Sequence, residues 1–231
     1  MRRPRALILL VLIFAGGGAL GAFYFFDAFS WRSFRGGADT GLRRQGRATV
    51  FWAGEEANEK NVFIANHASV WDANWQEHYG GVDDPVSRCG YKPCAFSPAE
   101  NPFYAALPYN DLDKEGKRKE SAAGIPWFLE EMDKKSVLKN RWIEVMYRGA
   151  ACYGQWEDVG PFEEDDFEYV FGDAGKPKNT WGAGAGIDLS PAMRDCLKLE
   201  GNDMVVWRFV GEGDVSEGPW KEIVTTRDVG W

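Results

Sequence analysis

Residues 155–162, Gln-Trp-Glu-Asp-Val-Gly-Pro-Phe, and residues 186–191, Gly-Ile-Asp-Leu-Ser-Pro, decide how this chain is read. In each, an apolar, strand-like run ends in an aspartate, Asp158 or Asp188, just before a turn or a helix start. Ser190 followed by Pro191 opens a helix, because the serine oxygen can accept from a free first-turn N–H and proline needs no donor there. Met193, Cys196 and Leu197 form the buried face of that helix, with Gly201 as its expected stop. Val206-Trp207-Arg208-Phe209-Val210 then reads as a last core strand.

Outward from this stretch, Arg141 to Tyr147 alternates apolar and polar residues, the period of a half-buried strand. Arg148-Gly149 connects it tightly to Ala151–Trp156, so the pair predicts a hairpin. Thr49-Val50-Phe51-Trp52 is expected to be the first strand, ended by Gly54. Phe103 to Leu107 is another apolar run, stopped by Pro108. Residues 55–102 lack a long period and predict loops with a short helix around 70–79. Ile223 to Thr226 is expected as an edge strand, and Glu163 to Asp173 as an acidic loop. Five to seven short strands with one or two short helices predict a mainly β chain, a barrel rather than a sandwich.

The first residues are a targeting element. Arg2, Arg3 and Arg5 precede an uncharged run from Ala6 to Phe26, long enough for one membrane-spanning helix. An uncleaved anchor and a cleaved secretory signal both fit. Residues 27–47, rich in glycine and arginine, read as a linker, leaving 48–231 as one domain. The basic N-terminus favours export of that domain, either anchored in the inner membrane facing the periplasm or secreted. Without the eight arginines and two aspartates of residues 1–47, the chain keeps 19 basic and 33 acidic residues. That balance excludes nucleic acid, which needs a basic face. Four cysteines in an exported chain allow two disulfides. Cys89 with Cys94, and Cys152 with Cys196, is one of three possible connectivities.

Two carboxylates at strand ends are the equipment of glycosidic bond cleavage. One, kept protonated by burial, gives its proton to the leaving oxygen; the other acts as base or nucleophile. The plainer alternative is that Asp158 and Asp188 cap turns, a common role for aspartate. His67, His78 and the cysteines do not have zinc-site spacing, and the acidic run 163–166 does not match a calcium loop. No metal or other cofactor is expected. Trp156, beside Glu157 and Asp158, and Trp181, in a loop, are the tryptophans placed to stack on sugar rings.

The motifs resemble a family. Asp158-Val159-Gly160-Pro161-Phe162 is similar to the Asp-Arg-Gly-Pro-Phe of double-psi β-barrel proteins of the rare lipoprotein A type. Ile187-Asp188-Leu189-Ser190 is similar to their Ile-Asp-Leu-Ser, and Leu107-Pro108-Tyr109 to their Leu-Pro-Phe. Asp188-Leu189-Ser190-Pro191 with Trp207-Arg208-Phe209-Val210 resembles the bacterial expansin version. The resemblance covers about residues 103–210 and implies a six-stranded double-psi β-barrel. It implies Asp188 as proton donor toward a glycan, with Asp158 its partner in the groove. Tyr104, standing where the family has histidine, and Tyr109 are the implied neighbours of substrate, with Trp156, Glu157 and Trp181. The chain departs from the pattern at Val159 and at Ala185-Gly186, where the family carries arginines, and in the long acidic insert 163–185.

The expected function is that of an exported envelope protein that binds a wall polysaccharide, peptidoglycan or β-glucan. It would cleave the polymer as a lytic transglycosylase does or loosen it as an expansin does. The alternative is a non-catalytic envelope module for a protein or glycan partner.

Overall fold

The computed structural model describes residues 41–128 and 135–227. The anchor or signal expected at 1–26, and the linker up to residue 40, lie outside the described residues. The predicted hairpin is present: β5 (Arg141–Tyr147) pairs antiparallel with β6 (Ala150–Val159) across Arg148 and Gly149. Both turn residues have positive φ, 46° and 85°, the handedness that matches the twist of the flanking strands.

Four further strands complete a closed barrel: β1 (Arg44–Val50), β4 (Tyr104–Leu107), β7 (Ala185–Leu189) and β8 (Met204–Phe209). Around the barrel the order is β1-β7-β4-β6-β5-β8, while β2 (Arg88–Cys89) and β3 (Lys92–Pro93) form a separate small hairpin. β1 with β7 and β4 with β6 are parallel; the remaining contacts are antiparallel. Exchanging β1, β4 and β5 for β6, β7 and β8 maps this order onto itself, so the two halves interleave about a pseudo-two-fold. The mainly β, six-stranded barrel expected from the sequence is therefore the fold. Three short α-helices accompany it rather than one or two: α1 (Trp75–Tyr79), α2 (Phe167–Val170) and α3 (Pro191–Leu197).

The core fills the barrel with aromatic side chains. The Trp156 ring lies 5.7 Å from those of Trp71 and Phe209, and Phe171 stacks on Phe209 at 5.4 Å. Trp207 gives its indole N–H to Tyr169 Oη at 3.2 Å. The acidic segment is thus more than a solvated loop, since Tyr169 and Val170 of α2 are buried in the core and Phe171 packs against it. A side chain at Gly46 or Gly186 would collide with the Tyr169 ring, so these glycines let the two strands approach it.

Both disulfides form, Cys89–Cys94 across the small hairpin and Cys152–Cys196 between β6 and α3. Ser190 caps α3 through Met193 N–H at 3.2 Å, as read from the sequence. Three expectations change. β1 starts at Arg44, inside the expected linker, because Arg44 to Arg47 pair with Trp207 to Met204. Lys198, with φ 55°, ends α3 in place of Gly201. Residues 223–226 form no strand; Thr225 instead docks on Asn101 and Gln155, its N–H reaching Gln155 Oε1 at 2.8 Å.

Candidate active site

Asp158 and Asp188 are brought together by Ala106. In the β4–β6 ladder Ala106 stands opposite Asp158, and in the β4–β7 ladder opposite Asp188. The two aspartates therefore sit two strand spacings apart, about 9.5 Å between backbones, with only a methyl group between them. The ladders beside both are irregular: one residue, Glu157, is skipped in β6 and another, Gly186, in β7. Bulges of this kind re-aim side chains next to active sites. Both aspartates line one cleft of about 400 Å³.

Each carboxylate is held by one oxygen. Asp158 Oδ1 accepts from the backbone N–H of Val70 at 2.7 Å and of Val159 at 2.8 Å. Asp188 Oδ1 accepts from the Thr49 hydroxyl. Among the described residues, neither Oδ2 has a hydrogen-bond partner. Gly160 sits so near that a β-carbon there would lie 3.2 Å from Asp188 Oδ2. Trp156 helps hold the strand end, its indole N–H donating to the Asp158 carbonyl at 2.7 Å.

Burial pushes both acids up, each to about 7. The Thr49 hydroxyl opposes that for Asp188, and the nearby Glu55 adds to it. The two backbone N–H groups oppose it for Asp158, while the Asp188 charge raises it further. Two peptide donors stabilise the ionised form of Asp158 more than one hydroxyl does for Asp188. Both acids nevertheless rise to the same range, well above that of an ordinary aspartate.

The expected sugar-facing residues are placed differently, and four are corrected. Trp156 is fully buried because the barrel needs its ring as core. Glu157 is buried in an ion pair with Lys139 at 2.5 Å; burial outweighs that pairing and raises it to about 7. Tyr104 is buried against Phe51, Trp75 and Tyr79, and its hydroxyl donates to Asp83 at 2.9 Å. Tyr109 is buried beneath Phe167 and Phe171, its hydroxyl 2.8 Å from Ser121. Trp181 alone of the five is exposed, at 60%, and it precedes Gly182, which lines the cleft.

Residues that motif reading missed complete the site. Thr49 holds Asp188, and Val70 supplies a donor to Asp158 from a segment with no recognisable pattern. Glu55, 5% exposed and bonded to Asn66 at 2.8 Å, adds a third acid to the cleft; burial raises it too. The cleft rim is apolar at Ile64, next to Phe63, which is 69% exposed. Thr49 lay in a strand already expected, but nothing in the sequence marks Val70 or Glu55.

His78 Nδ1 lies 2.6 Å from Asp72 Oδ2, and His67 meets Gln76 and Glu56. Among the described residues, no cluster of three or more potential metal ligands forms. No known protein family and no curated protein matches the sequence. In structure the chain is similar to the Streptomyces papain inhibitor (SPI), with 16% identity over 74% of this chain and 96% of that one. The TM-score is 0.31, too distant a likeness to bear on function.

Proposed function

We propose that this chain is an exported envelope protein that binds a polysaccharide in the Asp158–Asp188 cleft and cleaves or loosens it. The observation that carries the reading is the pair itself: two carboxylates on β6 and β7, the strands on either side of β4, each anchored through one oxygen and open through the other. Asp188 Oδ2 gives its proton to the glycosidic oxygen as that bond breaks. Asp158 takes a proton from the attacking group, which is water in hydrolysis and the sugar's own hydroxyl in anhydro-sugar formation. The interleaved barrel order supports the double-psi reading of the rare lipoprotein A and expansin types. Both disulfides support an oxidising, extracytoplasmic compartment.

The test is release of soluble fragments from purified peptidoglycan and β-glucan. Fragments from the natural protein and none from Asp188→Asn support the reading; equal release from both would sink it. A non-catalytic binding module is the second reading, favoured by the exposed apolar rim of Phe63, Ile64 and Trp181. Fragment release excludes it as the sole function.

A further inference from the structure

One wall of the Asp158–Asp188 cleft is built by residues that do not place themselves. Glu55, Asn58, Lys60, Asn61 and Ile64 line it, and between Glu55 and Asn66 every residue is exposed or half-buried. Such a stretch has little core packing to fix it, so its position is set where it is rooted. At the root, the Gly54 N–H donates to the Asn66 carbonyl at 2.8 Å, and the Asn66 N–H donates to the Glu55 carbonyl at 2.9 Å. Just ahead of them Ala53 is fully buried and pinned from both sides. Its N–H donates to Tyr104 Oη at 3.0 Å, and its carbonyl accepts from the Asp83 N–H at 2.9 Å.

From Ala53 a buried chain of bonds leads out to the small disulfide hairpin. Tyr104, on the same strand as Ala106, gives its hydroxyl hydrogen to Asp83 Oδ2 at 2.9 Å. The other Asp83 oxygen pairs with the Arg88 guanidinium, and Asp83 is fully buried. Burial pushes the Asp83 carboxyl up, while Arg88 and then Tyr104 oppose it. A buried ion pair adds little net stability, but removing one partner leaves the other charge uncompensated. Arg88 therefore has to be held, and the hairpin holds it. Arg88 belongs to β2, its Nη2 donates to the Tyr91 carbonyl at 2.5 Å, and Cys89–Cys94 closes β2 on β3. Both Cys89 and Cys94 are exposed, whereas Cys152 is fully buried.

We infer that Arg88, Asp83 and Tyr104 are positioning residues for the Glu55 wall, and that the Cys89–Cys94 hairpin is their redox-sensitive anchor. A small dithiol opens this disulfide first, because thiol–disulfide exchange needs access to a sulfur. One thiolate of the reagent attacks a sulfur of Cys89–Cys94, and its second thiol then closes the reagent's own disulfide. The protein gains two electrons and two protons and ends with two thiols. Arg88 then loses the hairpin that aims it at Asp83, and the Ala53 root loosens with it. The inference goes beyond the polysaccharide reading and does not rest on it, since no substrate enters the test.

The full chain is treated with dithiothreitol, alkylation shows which cysteines have opened, and amide hydrogen exchange is read residue by residue. With Cys89–Cys94 open and Cys152–Cys196 intact, the Ala53, Gly54, Asn66 and Asp83 amides should exchange at least about tenfold faster. Amides of the β5–β6 hairpin should not change. Tyr104→Phe keeps the ring in its aromatic cluster and removes only the hydroxyl. In that variant, still oxidised, the Gly54 and Asn66 amides should show the same acceleration. Reduction should then add less than about twofold, the non-additivity of a single network. Arg88→Gln, outside the barrel, should behave likewise. Cys89→Ser with Cys94→Ser should reproduce the fast exchange with no dithiol present. Unchanged protection at these amides in the Cys→Ser variant, or in the reduced protein, would overturn the proposal. So would equal acceleration throughout β5 and β6, which is loss of the barrel, or effects of reduction and Tyr104→Phe that simply multiply.

Discussion

Asp188→Asn should stabilise the barrel while disabling the site, and the gain should depend on pH in a defined direction. The folded-state value of Asp188, about 7, lies above its ordinary 3.8. Such a carboxyl contributes stability that is complete below about 3.8 and is lost as the pH rises through about 7. At pH 8 the folded protein holds the ionised form in a site that disfavours it, at a cost of at most about 4 kcal/mol at 1.36 per unit. The side chain is partly solvated, and screening reduces this to about 2 kcal/mol. Asparagine keeps the shape and the acceptor for the Thr49 hydroxyl without the charge, so the variant should be about 2 kcal/mol more stable at pH 8. For a domain of this size that is roughly 4–8 °C in Tm. At pH 5 the folded protein holds the neutral acid, and the advantage should shrink to under about 1 kcal/mol. Urea or thermal unfolding of both proteins from pH 5 to 8 measures this. An Asn variant less stable than the natural protein at pH 8, or a difference that does not change with pH, would show that burial does not raise Asp188 and would remove the basis for its acid role.

Gly160→Ala, at a buried glycine, should cost about 1–3 kcal/mol as an overpacking change and reduce fragment release, because its β-carbon crowds Asp188 Oδ2; a single preparation assayed for both checks it. Trp156→Ala should cost about 3–5 kcal/mol as a core cavity, whereas Trp181→Ala should cost under about 0.5 kcal/mol and weaken sugar binding, as melts and titrations would show. Removing Cys152–Cys196, which closes 44 residues, should cost about 4 kcal/mol against about 2 for Cys89–Cys94, which closes 5; unfolding of the paired Cys→Ala variants compares them. Lys139→Ala should cost about 3–5 kcal/mol at pH 8 by leaving Glu157 buried and unpaired, and less near pH 5, where Glu157 is protonated.

Much of the barrel is legible in local pattern. The alternation of Arg141 to Tyr147, the Arg148-Gly149 turn and the Ser190-Pro191 helix start are set by neighbours along the chain. Short-range sterics and hydrogen bonds settle such features. The same locality explains why Asp158 and Asp188 could be picked out: each ends a strand at a punctuated turn. β1 was placed too late because Arg44-Gln45-Gly46-Arg47 has no apolar signal of its own. Those residues are strand because β8 lies beside them and Gly46 admits the Tyr169 ring.

The site depended on what the sequence does not carry. Trp156, Tyr104 and Tyr109 read equally well as sugar platforms or as core, because an aromatic ring has the same chemistry on either side of a strand. Only the direction of each side chain, fixed by closure of the barrel and by the bulges at Glu157 and Gly186, placed them inside. Thr49, Glu55 and Val70 join the site across 139, 133 and 88 residues from the aspartates they serve, distances at which no local pattern operates. By itself the sequence determined a β-barrel with two aspartates at strand ends. Tertiary structure alone decided that both flank Ala106 in one cleft, because two interleaved parallel pairs bring separate halves of the chain to the same edge.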